Sequence, residues 1–343
     1  MLQYILRRLM LLPLVLVGVT LLIFGMMQML SPYQLLGLYV KSPDEIRNQN
    51  LDALVEKYHL NDPVTVKYAN WMGNLLKGDL GWSESANMPV LEALISRFPA
   101  TLELALFSVI PVVLGGIFLG AISAVFHNRP LDHGIRIWAI IGWSLPDFVF
   151  GLIILMIFYG VLGWFPPGRL GTEAEMIVMS DGFIRYTGLN TIDALLNKNW
   201  TVFWDALRHL VGPMITLTYL WWAFILRITR SSMLEVMNKD YVRTALAKGV
   251  PEPTVIRKHV LRNAMIPVTT VAGLMVLGLL GGVVIVETVF NYKGIGLLAA
   301  TAAQQLDYPM VLGTTLFYAF LLVVTNLIVD VLYATIDPRV RLE

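Results

Sequence analysis

Four carboxylates fall inside or at the ends of long apolar runs: Glu103, Asp147, Glu287 and Asp330. An ionised acid at membrane depth is costly, so each calls for a partner or for a part in moving a proton or a solute. A proton relay would link them through histidine. The nearby histidines are His209, at the end of a run, and His259, in a basic segment, which favours pairing with polar groups for Glu287 and Asp330. Asp147 follows Ser144 and Pro146, where a proline frees backbone; Ser144, Pro146 and Asp147 are the candidates for lining a path across the membrane. Glu173 and Glu175 have no histidine or third acid beside them, so no metal site is expected. There is no Gly-x-x-x-x-Gly-Lys-Ser/Thr, no His-Glu-x-x-His and no Ser/Lys pair in an apolar run, and cysteine is absent. No catalytic residue and no cofactor are expected on this chain, and any nucleotide chemistry belongs to another polypeptide.

The elements that carry these residues must sit in lipid. Of 343 residues, 57% are hydrophobic and 14% charged, against about 25% charged in a soluble domain; mean hydropathy is +0.67. A soluble enzyme and a disordered chain are both excluded by that balance. A net charge of +1 argues against a generic nucleic-acid binder. A bilayer core of about 30 Å takes about 20 apolar residues as helix. Six runs qualify: Leu9–Leu30, Ala100–Phe126, Ile135–Trp164, Leu210–Ile228, Ala264–Phe290 and Met310–Ile336. The first is too long for a cleaved leader and lacks a small-x-small site. Pro146 is expected to kink the third.

Charge placement orients the six spans. The side holding both ends of the chain, the turn near residues 129–136 and the segment 227–262 carries fourteen basic and six acidic residues. The opposite side carries eleven basic and fourteen acidic residues. The positive-inside bias places both termini in the cytoplasm. On the outside, the spacing of Leu51, Leu54, Val55 and Tyr58, and a second start at Asp62-Pro63, predict a small helical unit, with Ser42-Pro43 as a helix start and Gly78-Asp79-Leu80-Gly81 as a stop. Its length favours a docking surface over a plain connector. The outer loop 165–208 opens on Pro166-Pro167-Gly168 and is expected to hold short helices or ordered loop. Trp143, Trp164, Trp200, Trp204, Trp221 and Trp222 are expected to form an interfacial belt.

The basic segment on the inner side carries the clearest pattern. Leu234, Met237, Tyr241, Ala245 and Lys248 recur at helical spacing. Gly249 supplies a left-handed stop, and Pro251 and Pro253 block continuation. A second helix fits Thr254–Asn263, with Val255, Ile256, His259 and Val260 on its apolar side. The product is an elbow over residues 229–263, with an apolar stripe that must pack against something.

The elbow residues resemble those of a known family. The runs Arg230–Val236, Asp240–Gly249 and Lys258–Pro267 resemble the coupling segment of ABC importer permeases, specifically the dipeptide/oligopeptide/nickel family. Arg97–Ala105, Ser144–Phe148 with Gly163–Pro166, Gly281–Phe290 and Asp330–Arg339 resemble its second, third, fifth and last spans. The long external segment after a short N-terminus resembles the first, B-type, of the family's two permeases. Within the generic importer motif only Ala245 and Gly249 match strictly; Arg243-Thr244 replaces Glu-Ala, and the proline lies at Pro267.

The resemblance implies an all-α integral membrane protein with six transmembrane helices in the type I ABC importer permease fold. Its parts would be span one (1–30), an external helical segment (31–98), the permease core (99–336) with its elbow, and a cytoplasmic tail (337–343). The implied function is uptake of di- or oligopeptides, with nickel or oligosaccharides as alternative cargo. Implied partners are a second homologous permease, two ABC ATPases inside and a solute-binding protein outside, in a bacterial or archaeal plasma membrane; contact with nucleic acid is not implied. Asp240, Tyr241, Arg243, Ala245, Lys248 and Gly249 would meet the ATPase. A stand-alone secondary transporter would instead show inverted repeats with broken helices in both halves, and no such repeat is visible.

Overall fold

The computed structural model describes residues 2–40, 50–280 and 283–336. Most of them are helical. α1 spans Leu2–Met27, and α2 (Leu51–Lys57) and α3 (Val64–Leu76) make the outer unit. A two-stranded hairpin follows, β1 (Trp82–Ser83) paired antiparallel with β2 (Met88–Pro89). Next come α4 (Val90–Val125), α5 (Pro130–Ser144) and α6 (Asp147–Ile154), the last running on as a π-helical stretch, Leu155–Val161. The outer loop folds as α7 (Thr172–Met179) and α8 (Asn190–Leu196). α9 covers Trp200–Met237, α10 Asp240–Ala247 and α11 Glu252–Val255; a π-helical turn, Ile256–Leu261, leads into α12 (Arg262–Leu280). α13 (Val284–Val289), α14 (Ile295–Gln304) and α15 (Tyr308–Ile336) complete the order.

Four described helices are long and apolar enough to cross a membrane: α4, α9, the run Glu252–Val276 and α15. The pair α5 and α6 makes a fifth, broken by 105°. α1 has 26 residues, enough at 1.5 Å per residue to be the sixth.

Two of the predicted spans differ in detail. The third is broken rather than kinked: Leu145 is extended (φ −83°, ψ 131°) and Pro146 starts the next helix. A residue before proline avoids the helical region, and proline lacks the N–H that would continue the ladder. The fifth predicted run, Ala264–Phe290, divides into α12 and α13. The expected boundary at residues 98–99 falls inside α4, which starts at Val90. The expected helix start at Ser42-Pro43 lies outside the described residues, as does the tail 337–343.

The core is the seam between α4 and α9. Gly116 and Gly120 sit one turn apart on α4, and neither has room for a side chain. A Cβ on Gly116 would lie 2.6 Å from Cβ of Ile225, and one on Gly120 would lie 2.7 Å from the Leu226 carbonyl. Small residues at i and i+4 let membrane helices approach closely, where dispersion rather than hydrophobicity drives association. Gly115 makes room for Trp222, whose indole N–H donates to the Pro111 carbonyl at 2.8 Å. Trp222 therefore belongs to the seam and not to an interfacial belt, whereas Trp200 and Trp204 are exposed. Around the seam Leu104, Val112, Leu217, Ile225, Val268 and Phe290 are all buried.

The outer unit does not hang free. Leu54, Leu60 and Trp71 pack on Ile23, Phe24 and Met27 of α1, with Leu312 and Leu316 of α15 alongside. Asp307 ties the hairpin down: its carboxylate accepts from the Ser83 and Ser85 hydroxyls at 2.6 and 2.7 Å, from the Ser85 N–H at 2.9 Å and from the Met310 N–H at 3.1 Å.

Overpacking a tight core costs about 1–3 kcal/mol. Gly116→Val is therefore expected to lower the melting temperature of the detergent-solubilised protein, and Gly116→Val/Gly120→Val to lower it further, read by fluorescence-detected size exclusion after heating. Wild-type melting of both variants would show that the seam is not the core contact.

Candidate functional site

Three polar constellations stand out along the bundle. The first lies at the end away from the elbow. Glu103 of α4 is buried, 1% exposed. It accepts from Arg169 Nη2 at 2.8 Å, from the Thr191 N–H and hydroxyl at 2.8 Å each, and from the Tyr292 hydroxyl at 3.1 Å. Glu287 of α13 is fully buried. It accepts from the Thr101 hydroxyl at 2.6 Å and the Leu297 N–H at 2.9 Å, and Thr101 in turn accepts from the Ile295 N–H at 2.9 Å. Gly294 has to be glycine for this: a Cβ there would lie 2.4 Å from Glu287 Oε1. Both acids are thus paired with polar groups, as expected for Glu287. The Asp330 side chain lies outside what is described. The Glu103–Arg169 pair escaped the sequence because 66 residues separate the partners and no local periodicity links them.

The second constellation is the break between α5 and α6. The Ser144 hydroxyl donates to the Ile140 carbonyl at 2.8 Å, closing the last turn of α5. The Pro146 carbonyl accepts from Val149 and Phe150, opening α6. Asp147 then sits in the first turn, where the helix dipole favours a negative charge. Ser144, Pro146 and Asp147 are all exposed. Asp147 borders a cavity of about 270 Å3 shared with Trp143, Leu220 and Trp221.

The third is the elbow. α9 stops at Met237, and α10 starts three residues later. The expected single helix through Leu234 and Lys248 is therefore two, and the expected stripe is divided. Val242, not Tyr241, is the residue buried at the joint, and Tyr241 is 45% exposed. Asn238, at the C-cap of α9, was the available signal, since Asn favours helix ends. Met233, Val242, Val255, Val260 and Ala264 make a core under the elbow together with Ala124 of α4, with Ala245 packed partly against it. Val255 and Val260 are five residues apart and both face inward because one π-helical turn separates them. His259, expected on that face, is exposed.

Gly249 turns the chain. Its φ is +79°, and nothing lies within 4 Å of an added Cβ, so conformation and not space requires glycine. The Gly249 N–H donates to the Leu246 carbonyl at 2.9 Å and the Val250 N–H to the Ala245 carbonyl at 3.3 Å. These two bonds are a Schellman closure. Asp240, Tyr241, Arg243 and Lys248 all point outward from α10. Asp240 lies 3.9 Å from Arg243, and Lys239 pairs with Glu235 at 2.9 Å across the turn, which raises the Lys239 pKa.

Long apolar helices, one pair of them broken by 105°, and an ordered elbow presented at one end define a multi-pass helical membrane protein. The chain belongs to the family of binding-protein-dependent transport system inner membrane components, which matches residues 116–342. It is 39% identical over 342 residues to the oligopeptide transport system permease protein of Bacillus subtilis, covering 99% of this chain and 100% of that one. It is 37% identical over 343 residues to the dipeptide transport system permease protein of Escherichia coli, covering 99% of both. A probable D,D-dipeptide transport system permease protein of Escherichia coli is 43% identical over 293 residues, 84% of this chain and 85% of that one.

Leaving one member of a buried ion pair alone costs about 3–5 kcal/mol. Arg169→Met is expected to destabilise the protein on that scale, and Glu103→Leu/Arg169→Met to recover part of the loss, measured as melting temperatures in detergent. A double variant no better than the single one would mean that Arg169 does not act through Glu103.

Proposed function

We propose that this chain is the B-type permease subunit of an ATP-driven, binding-protein-dependent importer of di- or oligopeptides, forming half of the translocation path. The observation that carries the reading is its end-to-end likeness to permeases of oligopeptide and dipeptide transport systems. A second permease completes the path, two ATPase subunits bind the elbow from the cytoplasm, and a solute-binding protein delivers cargo outside. Both termini lie in the cytoplasm, following the basic side of the bundle. ATP hydrolysis resides on the ATPase subunits.

The elbow geometry supports a mechanical role. Coupling is a free energy, so it needs contacts that differ between two states. α10 has eight residues, six of them exposed, and it is seated on a small core shared with α9, α11, α12 and the end of α4, which suits a body that moves as a unit with them. Tyr241, Arg243 and Lys248 supply its ring and charges to the ATPase, with Asp240 at its leading end. Ala245 has the different task of seating α10 on the elbow core, and Gly249 sets the angle at which it is presented. At the other polar break, Ser144, Pro146 and Asp147 face the solute, because the broken helix exposes a carboxylate at membrane depth.

The test is reconstitution. With partner permease, ATPases and binding protein in liposomes, labelled dipeptide should accumulate only with ATP; uptake by the isolated chain without nucleotide would overturn the reading. Gly249→Val places a β-branched residue at positive φ, at about 1–2 kcal/mol of strain. It should depress uptake more than ATP hydrolysis while leaving membrane insertion intact, and normal uptake would remove the elbow from coupling. Asp147→Asn should change the rate or the concentration dependence of uptake, and wild-type kinetics would take Asp147 out of the path.

A further inference from the structure

Between α5 and α9, toward the elbow, lies a cavity of about 630 Å3. Its lining has two characters. His127, Arg136, Arg227 and Arg230 supply positive charge or hydrogen-bond donors, while Ile140, Trp143 and Leu234 supply apolar wall. Among the described residues no carboxylate lines it. Asp132, which pairs with the lining residue Arg230, is fully buried and already occupied. It accepts from the Ser123 hydroxyl, from the Asn128 N–H at 3.0 Å and from Arg230 at 2.8 Å through both oxygens. Arg136 and Arg227 have no acidic partner among the described residues. Arg227 is also held in place: its guanidinium lies 5.7 Å from the ring centres of Trp143 and Phe224. Arg227 is exposed, yet its two ring contacts hold the guanidinium in one place.

The missing partner therefore carries negative charge at one end and an apolar body at the other. A zwitterionic peptide fits poorly, because its ammonium would meet cations and no free acid. A phosphodiester fits the fork of a guanidinium. The apolar side of the cavity continues into exposed Ile137, Ile140 and Ile141 on α5, a surface suited to an acyl chain. Basic pockets between membrane helices near the inner leaflet take anionic headgroups. We infer that the α5–α9 cavity holds the headgroup of an anionic phospholipid, with its phosphate between Arg136 and Arg227 and its acyl chain along α5. The occupant braces the part of α9 from which the elbow is hung. This site is independent of which solute the chain carries.

Native mass spectrometry of the full chain, purified with whichever subunits accompany it, tests this directly. With added phosphatidylglycerol or phosphatidylcholine, phosphatidylglycerol is expected to stay bound at collision energies that strip phosphatidylcholine. Arg136→Gln/Arg227→Gln should lower the bound phosphatidylglycerol about tenfold, and Arg136→Lys/Arg227→Lys should keep most of it. Millimolar alanyl-alanine or inorganic phosphate should leave it in place. Equal retention of the two lipids, unchanged retention in the glutamine variant, or displacement by dipeptide or phosphate would each overturn the assignment; the last two sources would make the cavity a solute or phosphate site instead. Because the readout is lipid mass and not transport, its failure would leave the importer reading untouched.

Discussion

The contact on which the architecture depends is the close approach of α4 and α9 at Gly116 and Gly120. In lipid, two helices gain little by hiding apolar surface, because the solvent is as apolar as they are. They gain by fitting. The two glycines bring the backbones close enough for Ile225, Leu226 and Thr229 to fill the groove. The Glu103–Arg169 and Glu287–Thr101 groups and the Asp132–Arg230 pair are each fixed to one or both of these long helices. Thr101 and Glu103 project from the end of α4 away from the elbow, and Ser123 from the end near it. Arg230 and Met233 project from the elbow end of α9. Spreading the seam would move the Glu103 and Glu287 carboxylates and the elbow together.

The buried acids solve a problem created by the broken spans. Short elements such as α13 and the turn before α14 leave N–H groups with no helical partner. In hydrocarbon each would cost several kcal/mol. Glu287 and Thr101 accept from two of them, Leu297 and Ile295. Glu103 does the same for Thr191 at the start of α8, and Arg169 balances its charge. The acids look anomalous in an apolar sequence, yet their position follows from where the backbone is interrupted.

What the sequence revealed follows the range of each signal. Apolar runs of about 20 residues and the proline at position 146 are local, and they located the spans and the break. Gly249 beside two prolines is local too, and the turn forms there. The elbow's inner face was harder. A π-helical turn places Val255 and Val260 together at a spacing that matches neither three nor four residues, and the interruption after Met237 shifted burial from Tyr241 to Val242. Trp222 looked interfacial by type, but Gly115 on another helix decides its place. Glu103 and Arg169, or Ser83 and Asp307, meet only once the whole chain has folded, so no window of sequence contains them.

That last pairing sets a timetable. α1 and the outer helices rest on α15, the final span, and Asp307 clasps the hairpin just before α15 begins. At about 5–20 residues per second, the ribosome needs roughly 15–60 s to travel from the end of α1 to the start of α15. Throughout that interval the first span has entered the bilayer without its mate. α1 is thus secured late, and a nascent polypeptide stalled before Tyr308 would leave Ile23, Phe24 and Met27 without Leu312 and Leu316 beside them.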